Sequence, residues 1–101
     1  MSLDPELKKK LRGIGHALDP VVTVAGNGLS EGVNAELERA LHDHELIKVK
    51  LAVTDRELRK QLAAQMCRQL KAELVQEIGK VVLIYRRNPE ANPKLSNLRR
   101  G

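Results

Sequence analysis

Ala25-Gly26-Asn27-Gly28 is the stretch of this sequence best suited to receiving another molecule. Two glycines leave the main chain bare, so a sugar–phosphate backbone can come close, and glycine and asparagine both tolerate positive φ. The stretch leads into a helix-forming run capped by Ser30, whose first N–H groups have no internal partners and attract anions. One helix terminus contributes about 0.3–1 kcal/mol per charge, so other cations must assist. A plain strand-to-helix turn would carry the same glycines, and spacing alone favours that reading.

The candidate assisting cations fall in four places. Lys8, Arg12 and His16 recur every four residues, forming a stripe on the solvent side of a helix. Lys48 and Lys50 alternate with Ile47, Val49 and Leu51, which puts both lysines on one face of a strand. Lys80 sits in a Gly-Lys turn, and Arg86 follows an apolar strand. Each group also has a plain reading as solvated surface. His42-Asp43-His44-Glu45 has metal-ligand residue types, but histidines two apart do not share a helical face, so a helix C-terminus is the reading preferred here. Cys67 falls in an apolar stripe without an activating base and reads as an inert core thiol. No Ser-His-Asp set, paired acidic motif or GxxxxGK[ST] loop occurs in the chain. No cofactor or metal is therefore expected.

The bulk composition agrees with an anionic partner. The chain has 101 residues, room for one domain, and a formal net charge of +5. That charge is polarised: residues 21–45 carry −4, whereas 46–85 and 86–101 carry +4 each. With no Trp or Phe and a single tyrosine, Tyr85, the core must be built from Leu, Val, Ile and Ala. Readers of single-stranded nucleic acid usually stack bases on aromatic rings. A chain without them should rely on phosphate contacts and shape. One cysteine excludes an internal disulfide. No apolar run approaches about 18 residues and no signal-peptide pattern opens the chain, so a cytoplasmic protein without membrane contact is expected.

Seven elements must position these groups. Asp4 and Pro5 open a first helix with an inward stripe of Leu7, Leu11, Ile14 and Leu18; Gly13 and Gly15 within it suggest close packing or an early end. A strand covers Val21–Val24 after Pro20. Ser30 caps a second helix to about Asp43, with Val33, Leu37, Ala40 and Leu41 inward and Glu36 and Glu38 outward. Leu46–Val53 reads as a strand. Thr54 and Glu57 match a capping box for a third helix, which runs to about Leu70 with Leu62, Ala63, Met66, Cys67 and Leu70 inward. Leu74–Ile78 and Val81–Tyr85 are strands around a Gly79-Lys80 turn, the last continuous enough in apolar residues to be central. The order α-β-α-β-α-β-β predicts an α/β fold, one compact domain over 1–87 with a four-stranded mixed sheet. Residues 88–101 read as a flexible basic tail.

In order and spacing, several stretches resemble the YhbY family, the stand-alone bacterial form of the CRM domain (chloroplast RNA splicing and ribosome maturation). They are Leu11-Arg12-Gly13-Ile14-Gly15-His16-Ala17-Leu18, Pro20-Val21-Val22, Gly26-Asn27-Gly28-Leu29 and Glu31-Gly32-Val33. His44-Glu45-Leu46-Ile47-Lys48-Val49-Lys50, Asp55-Arg56, Ile78-Gly79-Lys80 and Leu83-Ile84-Tyr85-Arg86 continue the match, which spans roughly residues 4–87. The resemblance implies a fold similar to the C-terminal domain of translation initiation factor three and to KH domains. It also implies association with precursors of the large ribosomal subunit. The family's GxxG loop aligns with residues 25–28, where Ala25 replaces the first glycine.

Two functional classes follow. In one, the chain is an RNA-binding ribosome-assembly factor without covalent chemistry, contacting large-subunit ribosomal RNA through Lys8, Arg12, His16, Gly26, Asn27, Gly28, Lys48, Lys50, Lys80 and Arg86. In the other, the acidic face of the second helix, with Glu36 and Glu38, docks a basic ribosomal protein.

Overall fold

The computed structural model describes residues 3–25 and 28–98. Helix α1 (Pro5–Gly15) starts where expected: the Asp4 carboxylate accepts from the Glu6 N–H at 3.3 Å, and Pro5 occupies the first turn. Its stripe of Leu7, Leu11 and Ile14, continued by Leu18 beyond the helix end, packs with Leu46, Val75, Leu83 and Tyr85. At Gly15 the helix lies close against the sheet. A Cβ built there would fall 2.5 Å from Leu83 Cδ2.

Strand β1 (Pro20–Val24) leads through the glycine loop into α2 (Glu31–His44), where Ser30 Oγ accepts from Val33 N–H at 3.2 Å. A single residue, Glu45, joins α2 to strand β2 (Leu46–Leu51); it turns the chain with φ of 64° and is buried. Helix α3 (Arg56–Leu70) is capped by Asp55, whose carboxylate accepts from the N–H groups of Glu57 and Leu58 at 2.9 and 3.2 Å. The cap thus lies one residue later than the Thr54–Glu57 pattern predicts, because the Asp55 carboxylate reaches both N–H groups itself. Lys71, left-handed at φ 55°, ends α3 and starts β3 (Glu73–Ile78), which turns at Gly79-Lys80 into β4 (Val81–Tyr85).

The four strands form one mixed sheet in the order β1-β2-β4-β3, with β1 and β2 parallel and the other neighbours antiparallel. The apolar run Val81–Tyr85 is central, as its composition requires. β1 and β3 are the edges. Both carry a register irregularity, β1 between Pro20 and Val22 and β3 between Leu74 and Gln76. Alternation on β2 decides what lies on each face. Ile47, Val49 and Leu51 join Val22, Val24, Val82 and Ile84 beneath Leu37 and Leu41 of α2 and Met66 and Leu70 of α3. Leu46 faces the other way, toward α1. β2 ends at Leu51, two residues short of the predicted Val53, because the Val53 and Thr54 carbonyls bond to the Arg59 side chain instead of a neighbouring strand.

The segment after Arg87 departs from the expectation of a flexible tail over residues 88–98. Ala91 and Ser96 are buried, Asn97 Nδ2 donates to the Leu46 carbonyl, and the Asn97 N–H donates to the His44 carbonyl. Asparagines, read from sequence as signs of disorder, here satisfy main-chain groups at the α2–β2 corner. The last residues of the expected tail, 99–101, lie outside the described residues. No helix among the described residues is long and apolar enough to cross a membrane.

Candidate nucleic-acid interface

At one end of the sheet β1 and β2 finish and β4 begins. Thr23 of β1 pairs with Lys50 of β2, and Lys50 pairs in turn with Val81 of β4. One rung further, the Ala52 N–H donates to the Val24 carbonyl, and the Leu51 N–H donates to the Lys80 carbonyl at 2.7 Å. The start of the glycine loop, Lys50 and Lys80 are thereby fixed along a single edge by main-chain bonds. Both lysines are exposed.

The Gly28 N–H donates to the Ala25 carbonyl at 3.0 Å, and the Ser30 N–H donates to the Gly28 carbonyl at 3.2 Å. Gly28 has φ of 84°, a conformation that L side chains resist, and no atom lies within 4 Å of a Cβ built on it. The glycine thus serves the turn and keeps the surface bare. Gly26 and Asn27, the other two predicted loop contacts, lie outside the described residues. Beyond the loop, the first turn of α2 presents N–H groups to an incoming anion, but also the exposed Glu31 carboxylate, which opposes one.

On the α1 side of the sheet, the helix covers only the end marked by Leu46 and Leu83. Past Gly15 the chain turns away, leaving a groove of about 350 Å³ lined by His16, Lys48, Gln76 and Ile78 together with Leu18, Asp19, Pro20, Val81 and Leu83. His16 and Lys48, 32 residues apart in sequence, share this groove, and Lys50 stands two rungs further toward the loop on the same face. Ile78 is 62% exposed there, offering an apolar surface between the polar groups. Lys8 and Arg12, both half-buried, lie further back along α1.

Arg86 does not join them. It follows β4 at the opposite end from Lys80, where its Nη2 meets Glu38 Oε2 at 3.0 Å and its Nη1 donates to Glu38 Oε1 and to the Leu70 carbonyl. The hydrogen bond from Arg86 holds the Glu38 carboxyl below its ordinary range, outweighing the opposing effect of partial burial. His44 and His42 engage the C-terminal segment: His44 Nδ1 lies 2.7 Å from the Leu95 carbonyl, and His42 Nδ1 lies 3.3 Å from Asn88 Nδ2. Cys67 is half-buried, and burial, helped by the charge of Glu73, pushes its thiol up to about 11.

Arg56, Arg59 and Lys60, at the start of α3, are not among the cations expected from the sequence to bind. Their spacing was the available signal, since residues three and four apart share one side of a helix.

A model of the CRS1/YhbY (CRM) domain matches residues 3–86. The chain belongs to this family. Among relatives of the CRM chain, a protein of Pseudomonas aeruginosa named as a probable RNA-binding protein is 57% identical over 100 residues, covering 99% of this chain and 96% of the relative. An RNA-binding protein of Haemophilus influenzae is 47% identical over 94 residues, covering 93% and 95%. The solution structure of a hypothetical protein from Staphylococcus aureus, described there as a candidate RNA binder, superposes with a TM-score of 0.78 at 31% identity, covering 89% of this chain and 94% of that one. The CRM match ends at Arg86. The folded-back segment 88–98 therefore packs onto the matched CRM domain from outside it.

Proposed function

We propose that this CRM domain binds RNA at the sheet end where the glycine loop, Lys50 and Lys80 converge, with Lys48 and His16 continuing the contact along the adjoining groove. The observation that carries this reading is the rung geometry, which sets two exposed lysines beside a bare-backbone turn on three adjacent strands. The names of the relatives point the same way. Lysine side chains neutralise phosphates and release condensed counterions, and that release supplies most of the affinity. With one half-buried tyrosine and no other large aromatic ring, the site reads the shape and phosphate spacing of structured RNA more than its bases.

The RNA in this proposal is that of the large ribosomal subunit or its precursor, bound in the cytoplasm during assembly, with no covalent step. Filter binding to transcribed large-subunit ribosomal RNA across a salt series tests it. Neutralising about five phosphates gives a logarithmic salt slope of about −3.5 to −4.5; a flat response sinks the proposal. Docking of a basic protein on the acidic face of α2 is the weaker alternative, because Arg86 already occupies Glu38 on that face.

A further inference from the structure

We propose that the cleft between the first turns of α3 and the β3–β4 turn is a second phosphate subsite, by which RNA bound as above passes over the sheet end onto the opposite face. The inference rests on the RNA-binding reading and adds a contact surface to it. The cleft measures about 320 Å³ and is lined by Arg56, Arg59, Lys60, Glu77 and Gly79. Three of its five residues are cations and one is a carboxylate. Gly79, at φ 56° with open space where a Cβ would stand, leaves the floor bare, and Lys80 follows it in the same turn. The cleft is thus continuous along the chain with the cations at the sheet end.

Arg59 is held in place before any ligand arrives. Its Nη1 donates to the Val53 and Thr54 carbonyls at 2.9 and 2.8 Å, while its buried Nε finds no acceptor among the described residues. Arg56 and Lys60 are exposed and make no ion pair among the described residues. Arg56 is the first residue of α3, where the helix dipole disfavours positive charge, and Arg59 and Lys60 follow one turn on. Arg59 is accounted for by its two main-chain bonds, whereas helix stability does not explain Arg56 at the helix start and a bound anion does. The chemistry that fits is a phosphodiester of the RNA backbone, met by the exposed Arg56 and Lys60 against the anchored Arg59.

The test compares the full chain with Arg56→Gln/Lys60→Gln and with Lys48→Ala/Lys50→Ala, using transcribed large-subunit ribosomal RNA over a salt series. The α3 pair should weaken binding about tenfold at moderate salt and flatten the logarithmic slope by about 1.4–1.8, the loss of two phosphate contacts. Its thermal midpoint should hold or rise, since like charges leave the helix start. Glu77→Gln, which removes the carboxylate from the cleft, should tighten binding about twofold. If the β2 pair weakens binding while the α3 pair leaves affinity and slope at the unaltered chain's values, the subsite is overturned and the wider reading stands. If the unaltered chain shows no salt-dependent binding, both fall together.

Discussion

Arg86 and Glu38 meet at 3.0 Å, tying the far end of β4 to the outer face of α2. The same guanidinium donates to the carbonyl of Leu70, the last residue of α3, so one side chain joins three elements. Arg86→Ala should therefore lower stability by about 1–2 kcal/mol in urea titration while changing RNA affinity little. The folded Glu38 carboxyl titrates below its ordinary value of 4.5. Its stabilising contribution is present above that value and lost as pH falls through the lower folded one. The difference in thermal midpoint between the parent chain and Glu38→Gln should shrink on acidification below about pH 4.5.

Two glycines of α1 should respond in opposite senses. Gly13 has nothing within 4 Å of a built Cβ, so Gly13→Ala should stabilise by about 0.5–1 kcal/mol through helix propensity. Gly15→Ala instead drives a methyl into the buried Leu83 side chain and should cost about 1–2 kcal/mol net. Calorimetry of both variants checks the pair.

At the proposed interface, Lys48→Ala/Lys50→Ala should flatten the salt slope by about 1.4–1.8 without lowering the thermal midpoint. Gly28→Glu combines a strained φ with a repelling charge, and should reduce affinity more than it reduces stability. Affinity held with stability lost would make these positions structural.

Truncation after Arg87 removes buried Ala91 and Ser96 and the Asn97 bond to the Leu46 carbonyl. A loss of about 2–4 kcal/mol is expected in chemical denaturation. An unchanged midpoint would restore the flexible tail suggested by composition.

Cys67, with its thiol pushed up to about 11 from 9.0, should react with iodoacetamide at pH 8 roughly a hundredfold more slowly than a free thiol. Because the folded value is raised, the neutral thiol's contribution to stability is complete below pH 9.0 and disappears as pH climbs through about 11. Unfolding midpoints of the parent chain and Cys67→Ala, followed from neutral pH to pH 11, should show that convergence.

Hydrophobic periodicity made the seven elements legible, because Leu37 and Leu41, or Val49 and Leu51, repeat with the geometry of the structure that buries them. The lysine pair on β2 was legible for the same reason. What escaped depended on distant partners. Arg86 looked like a free cation because nothing local announces Glu38, 48 residues earlier. Asn88 and Asn97 looked disordered because their acceptors, the His42 and Leu46 carbonyls, lie about fifty residues away. Arg56, Arg59 and Lys60 blended into an ordinary polar helix face until the β3–β4 turn supplied the other wall of their cleft.

The breaks in pairing on β1 and β3 bear on how the molecule behaves in a crowd. An unpaired strand edge is a template on which a second chain can add, and a bulge or proline spoils it by twisting the row of donors and acceptors out of line. Both rims of this sheet carry such a defect, so self-association through strand addition is discouraged on either side.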